Sequence, residues 1–296
     1  MPIEPHPCFQ EPDADALLWR YMDLPKFAAL ITSRALWFSN AEELAKEDPQ
    51  EGTLPPLNFM HRNWSVPDDV PPAELDRIRQ GRYGNQSGAD DINYKISREV
   101  ENREMQIRRM FIYRRSYFVN CWHLAFHENA AMWKIYGAPG PGIAITTTAA
   151  RVKRALAASP EIIHLGGVRY IDPAQDTVDT ENLFNVVLTK RNNYSYEFEV
   201  RLVYWDTALN EGMPVAQWNP IWDRFVEPSE ELLNEFERKP VPAGHAFPCR
   251  LEELIEGVWL SPYSPTWYAE TVSRLCHLVG ISVRPKLSTL LNPPLR

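Results

Sequence analysis

Hydrophobic and polar positions alternate without a break from Tyr196 to Leu202, in the run Tyr-Glu-Phe-Glu-Val-Arg-Leu. Successive side chains of a β-strand point to opposite faces. The pattern therefore predicts a strand with Tyr196, Phe198, Val200 and Leu202 on one side and Glu197, Glu199 and Arg201 on the other. Two carboxylates and a guanidinium in a row fit either a solvated outer face or the floor of a polar cleft, and alternation alone favours the solvated face. Further strands are predicted over 17–21, 35–39, 117–122, 143–145, 162–171 and 281–284. Asp23 is placed to cap a helix whose apolar Phe27, Leu30 and Ile31 follow helical spacing, and Asn40 to cap a short helix through Leu44. Helices are also expected over 128–136, 148–157 and 267–279, with another ending at Lys190-Arg191, while 254–260 reads as helix or strand. Residues 90–115 read as a long helix carrying Arg98, Arg103, Arg108, Arg109, Arg114 and Arg115 among apolar Ile96, Val100, Ile107 and Phe111. The plain reading is a solvated basic side; the sharper one is a docking face over 97–115 for an acidic protein partner or RNA.

Strands and helices interleave irregularly, which predicts an α+β protein with a mixed or antiparallel sheet and helices packed around it. Residues 1–15, rich in Pro and acid, read as a loose or disordered tail. Residues 16–290 read as one domain. It carries a long irregular and helical insertion around 48–116, where prolines 49, 55, 56, 67, 71 and 72 oppose regular structure, and a Pro/Trp-rich insertion around 206–250. Gly140-Pro141-Gly142 lacks the later glycine and lysine of a phosphate loop, so a doubly wound dinucleotide fold is not supported.

Composition narrows the classes. A formal net charge of -8 over 296 residues disfavours sequence-independent nucleic-acid binding outside a local basic patch. Four cysteines stand far apart, with no secretory leader before them and no apolar run long enough for a membrane helix. These point to reduced thiols, a cytoplasmic location and no membrane partner. His123, His127 and Glu128 have a spacing that would let two histidines face one metal, but not in the order of a zinc protease, and capping or core roles are favoured. Cys121, two residues from His123, reads as structural rather than nucleophilic. Met132, Trp133 and Tyr136 recur at helical spacing, most simply as core, with Trp133 also placed to wall a base-binding pocket.

Several segments taken together carry a resemblance. Leu18-Trp19-Arg20-Tyr21-Met22, Leu36-Trp37-Phe38-Ser39 and Asp48-Pro49-Gln50-Glu51-Gly52 form an opening pattern; Asn120-Cys121-Trp122-His123, Glu128 to Tyr136 and Gly142-Ile143-Ala144-Ile145 form a central one. Lys190-Arg191 with Glu197-Phe198-Glu199-Val200-Arg201 follows, and then Val258-Trp259-Leu260-Ser261-Pro262 with Pro265-Thr266-Trp267-Tyr268. In this order they resemble the bacterial family called domain of unknown function 2971, over most of the chain from Leu17 to Leu290. The chain departs from that pattern in having Tyr196 where the family usually has a histidine, and Gln50 where it has an aromatic. The opening strand-helix-strand and the late glutamate strand are also similar to ADP-ribosyltransferase-like folds. That resemblance implies NAD as a substrate, with Glu197 or Glu199 as the catalytic carboxylate and Arg20 and Arg201 as anion or ribose contacts. It further implies Tyr21 or Phe38 as the ring that stacks on the ligand, and the expected binding site also takes in Trp133 and Tyr136 as ring contacts with Lys190 and Arg191 beside them. A fixed carboxylate suits this chemistry because cleaving a nicotinamide bond builds positive charge on the ribose, and an arginine fork suits phosphate. Arg20 equally fits a structural ion pair with Glu197, Glu199 or Asp48. The expected function is ADP-ribosyl transfer or N-glycosidic hydrolysis on NAD or a nucleotide. The alternative is a non-enzymatic effector or sensor module of bacterial conflict, using the Arg-rich helix or the stretch from Trp205 to Trp222.

Overall fold

The computed structural model describes residues 3–60, 111–137, 140–180, 182–215, 217–219, 224–226 and 228–292. The Arg-rich helix expected over 90–115 lies outside the described residues except for its last turn, as does most of the insertion after residue 60 and part of the Trp-rich stretch.

In chain order the elements are β1 (Leu17–Met22), α1 (Leu24–Ser33), β2 (Ala35–Asn40), α2 (Ala41–Leu44), α3 (Leu57–Met60), β3 (Tyr117–Leu124), α4 (Ala130–Tyr136), β4 (Ile143–Thr148), α5 (Ala149–Ala155), β5 (Ile163–Gly167), β6 (Arg169–Ile171), β7 (Thr189–Arg191) and β8 (Glu199–Trp205). A short hairpin of β9 (Gln217–Asn219) and β10 (Arg224–Val226) follows, then α6 (Glu230–Glu237), β11 (Gly244–Pro248), α7 (Leu251–Leu254), β12 (Gly257–Leu260), α8 (Thr266–Leu278) and β13 (Lys286–Leu287). The protein is α+β, with a mostly antiparallel nine-stranded sheet among the described residues. Asp23 and Asn40 cap α1 and α2 through their side chains, as their positions predict.

Four expectations are corrected. Lys190 and Arg191 do not end a helix: a 3₁₀ turn at Leu183–Val186 is followed by β7, which pairs in parallel with β6. The run 162–171 is two strands, β5 in the main sheet and β6 in the small one, because Val168 makes a last bond to the Glu199 carbonyl of β8 and Arg169 then donates to the Leu188 carbonyl beside β7. The closing strand is β13 at 286–287 rather than 281–284. Residues 3–15 lie against the sheet instead of hanging loose: Ile3 and Phe9 are buried, and Ile3 bridges to Ile163. At the other end of the Pro/Trp-rich stretch, β11 pairs with β2 as part of the main sheet. Gly244 allows this close approach, since a Cβ there would lie 2.3 Å from the Trp37 ring.

The sheet forks at β3. One edge of β3 pairs with β8 from Tyr117 to His123. The other edge pairs with β2 only at Phe118 and Val119, and with β1 only at His123 and Leu124. β1 and β2 therefore diverge, and among the described residues Asn120–Trp122 have no strand neighbour on that side. Asn120 spans the opening with its side chain: Nδ2 donates to the Trp37 carbonyl at 2.8 Å, and Oδ1 accepts from Trp122 Nε1 at 2.7 Å. These bonds satisfy polar groups that a strand would otherwise have paired.

One face of the sheet buries the main core, where Leu18, Phe118, Trp122, Val200 and Leu202 meet Phe27, Leu30 and Ile31 of α1 and Tyr268, Val272 and Cys276 of α8. The other face carries two smaller apolar clusters. Tyr117, Val119 and Val203 pack with Phe184 and Val187 in one, and Trp19 and Tyr21 pack with Met132 and Trp133 in the other. Between them lies a polar strip.

Candidate functional site

The strip begins with register. Across the β3–β8 ladder His123 faces Glu199 and Cys121 faces Arg201, so these four side chains share the face that lacks the main core. Glu197 reaches them by another route. Residues Asn192–Glu197 form a 3₁₀ turn that ends with Phe198 in the left-handed region (φ 39°), and β8 starts only at Glu199. The alternation thus holds from Glu199 onward. Tyr196 and Phe198, predicted on the apolar side, are exposed, at 38% and 61%, while Glu197, Glu199 and Arg201 are buried. The charged face is a buried polar floor, not a solvated surface.

The burial is tolerated because the charges are paired. Arg201 Nε and one terminal nitrogen donate to Glu199 at 2.9 and 3.0 Å, and its two terminal nitrogens donate to Glu51 at 2.6 and 3.1 Å. A fifth bond goes to the Val187 carbonyl at 2.6 Å. Lys190 Nζ donates to Glu197 at 2.6 Å and Glu199 at 3.3 Å, and lies 3.9 Å from Glu51. The second Glu197 oxygen accepts from the Tyr136 hydroxyl at 2.6 Å. Glu51 arrives on a tight turn in which Asp48 accepts from the backbone N–H of Gln50, while Asp48 itself pairs with Arg191 at 2.6 Å. Tyr194 covers the two cations, with its ring 4.7 Å from Lys190 Nζ and 5.4 Å from the Arg191 guanidinium.

Electrostatics follow from these contacts. Burial opposes the charge on Glu199, but Arg201 and Lys190 outweigh it and hold the carboxyl at about 2. Burial likewise opposes the charges of Lys190 and Arg201, and their carboxylate neighbours, Glu199 foremost, reverse the effect and raise both. Burial, reinforced by Glu199, raises the Cys121 thiol well above its ordinary value, so it stays protonated, in keeping with a structural cysteine. In the Glu51, Glu197, Glu199, Lys190 and Arg201 cluster, three carboxylates meet two cations, leaving one negative charge in excess.

A cavity of about 860 Å³ opens over this floor and runs into the fork between β1 and β2. Seven of the predicted site residues line it: Arg20, Tyr21, Tyr136, Lys190, Glu197, Glu199 and Arg201. Three do not. Phe38 points to the opposite face of β2 and packs edge-on against Phe247 at 4.7 Å in the main core, so it is no ring contact. Trp133 stands behind Tyr21, edge-on at 4.9 Å, with its indole N–H donated to Glu128. Arg191 is held outside by Asp48, whose carboxylate lines the cavity in its place. His127 is exposed, and Glu128 is engaged with Trp133 and the Thr289 N–H, so neither meets His123 as the metal spacing required.

Arg20 differs from the other cations. It is half-buried in the fork with its guanidinium 5.9 Å from the centre of the Trp122 ring, and it makes no hydrogen bond or ion pair with any described residue. The ion pairs open to it on sequence grounds are absent, because Glu197, Glu199 and Asp48 have other partners. Burial lowers its pKa to about 10.

Glu51, His123 and Tyr194 belong to the site and escaped sequence reasoning as site residues. In the sequence Glu51 carries only its place in the opening motif, and the spacing of His123 points to a metal or the core. Tyr194 lies in a polar turn with no periodic signal. No family model, curated protein or solved structure matches the chain.

Proposed function

We propose that this protein is an enzyme of N-glycosidic bonds in nucleotides, acting on NAD or a close relative by hydrolysis or ADP-ribosyl transfer. The observation that carries the reading is the bipolar cavity. One end holds a buried cluster with a carboxylate in excess, and the other holds Arg20, a cation without a counter-ion among the described residues. The complementary ligand is a zwitterion with a cationic ribosylated ring and an anionic phosphate. Such a ligand lets a fixed carboxylate face the ribosyl carbon as positive charge develops on it.

Of the two glutamates, Glu197 is assigned the catalytic role. Glu199 is gripped by Arg201 and Lys190 and is assigned to hold Lys190 in place. Arg20 takes the phosphate, and Tyr21, Tyr136 and Trp122 supply ring surface. The four cysteines are free thiols, which fits the reducing cytoplasm expected for such an enzyme.

The test is release of free nicotinamide from NAD by the wild-type protein and by Glu197→Gln. The variant is expected to lose at least about 100-fold in kcat, the scale for removing one preorganised electrostatic contact. A folded Glu197→Gln protein with wild-type turnover removes the assignment. A wild-type protein that neither releases nicotinamide nor binds NAD by calorimetry removes the reading.

A further inference from the structure

His123 has no role in the scheme above, yet its surroundings are unusual. It is 2% exposed and lines the cavity, opposite Glu199 on one side and Trp19 on the other. Its Nδ1 is hydrogen-bonded to the backbone carbonyl of Glu197. A carbonyl oxygen only accepts, so Nδ1 carries the proton and Nε2 is the lone-pair nitrogen. Nε2 is buried and has no partner among the described residues. A buried acceptor left unmade is costly, and a donor on a bound molecule would recover that cost. Burial also holds the imidazole below its ordinary pKa, against the pull of Glu197, so the lone pair is available at neutral pH.

The other titratable groups of the wall are already committed. Glu199 and Glu51 accept from Arg201, and Glu197 accepts from Tyr136 and Lys190. Asp48 pairs with Arg191, the Cys121 thiol is held protonated, and Glu47 is exposed. Among the cavity's buried acceptors in the described residues, His123 Nε2 is the one positioned to take a proton without breaking an ion pair.

We infer that His123 is the general base of the reaction proposed above, deprotonating the attacking water or acceptor hydroxyl; this rests on that reading of the cavity. In the step, the O–H proton passes to Nε2 as the oxygen lone pair forms the new bond to the anomeric carbon. The carbon–nitrogen bond breaks with its electron pair going to the ring nitrogen, which leaves as neutral nicotinamide, and the imidazolium then returns its proton to solvent. The imidazolium is stabilised where it forms, by the Glu197 carbonyl at Nδ1 and by the excess carboxylate charge of the cluster.

The test compares nicotinamide release by the wild type, His123→Ala and His123→Gln, with and without added imidazole. We expect kcat to fall by about 100-fold or more in both variants, the usual scale for a general base, with KM for NAD nearly unchanged. Free imidazole should restore turnover to His123→Ala by entering the space left by the ring, a rescue that a merely structural histidine would not give. Wild-type kcat in either folded variant overturns the inference, as does a fall in NAD binding that matches the fall in rate without imidazole rescue. If His123→Ala does not fold, His123→Gln decides by its split between kcat and KM. Release that depends on Glu197 but not on His123 sinks the base alone, whereas no release by the wild type sinks the parent reading with it.

Discussion

Replacing Arg201 with methionine tests the buried cluster directly. Met preserves most of the volume and removes five hydrogen bonds, three of them at 2.9 Å or less. Glu51 and Glu199 are left buried without their main partner. Breaking a buried ion pair from one side costs roughly 3–5 kcal/mol, because a charge is stranded away from water. Two carboxylates are stranded here, but Lys190 stays 3.3 Å from Glu199 and 3.9 Å from Glu51 and softens the loss. We expect about 4 kcal/mol, read as a drop of roughly 1.5 M in the urea midpoint at a slope of about 2.5 kcal/mol/M.

The pH dependence carries the sign of the argument. In the wild type the Glu199 carboxyl lies at about 2, below its ordinary 4.5, so its stabilisation is complete above the ordinary value. That stabilisation is lost as pH falls through the interval between the two. In Arg201→Met, burial is opposed by Lys190 and the Cys121 hydrogen bond without Arg201, and the carboxyl moves up, so acidification relieves the stranded charge. The gap between variant and wild type should therefore narrow as pH approaches the ordinary carboxylate range. A loss under about 1 kcal/mol at neutral pH, far below the cost of a stranded buried charge, or a gap that does not narrow on acidification, would refute the cluster.

Asn120→Ala should cost about 2–4 kcal/mol in urea unfolding, since it orphans both the Trp37 carbonyl and the Trp122 indole N–H in the fork; a change under about 1 kcal/mol, below the cost of even one such orphan, would show that the fork needs no strut. Phe198→Gly should raise stability: relief of the left-handed conformation, roughly 1–2 kcal/mol, outweighs glycine's entropy cost of roughly 0.5–1 kcal/mol, and the 61% exposed ring gives up little packing. A lower melting temperature for that variant would mean that the ring is held by contacts stronger than its exposure implies.

Much of the local structure was legible in the sequence. Asp23 and Asn40 cap as their positions require, and Leu17–Met22, Ala35–Asn40 and Tyr117–Leu124 are strands because apolar, β-branched and aromatic residues cluster there between turn residues. These are short-range properties, set by side-chain sterics and by hydrogen bonds within a few residues. Failures came where local preference is weak. Lys190 and Arg191 read as the end of a helix, yet β6 offered a backbone edge and the carboxylates of Glu197 and Asp48 offered the charge that fixes those side chains.

The candidate site was half legible. Glu199 and Arg201 share a face because a strand has period two, and the sequence determined that much. Whether that face meets water or a cavity depends on what covers it, which is a matter of long-range packing. Glu51, some 150 residues away in sequence, supplies the second carboxylate that makes a buried Arg201 tolerable. Phe38 illustrates the same limit in reverse. Its strand is legible, but the face it presents is set by the register of β2 against β3 and β11, which buries it in the core. Side-chain period is encoded locally, whereas the sign of each face is settled by long-range pairing, and a shift of one residue in that pairing would exchange core for site.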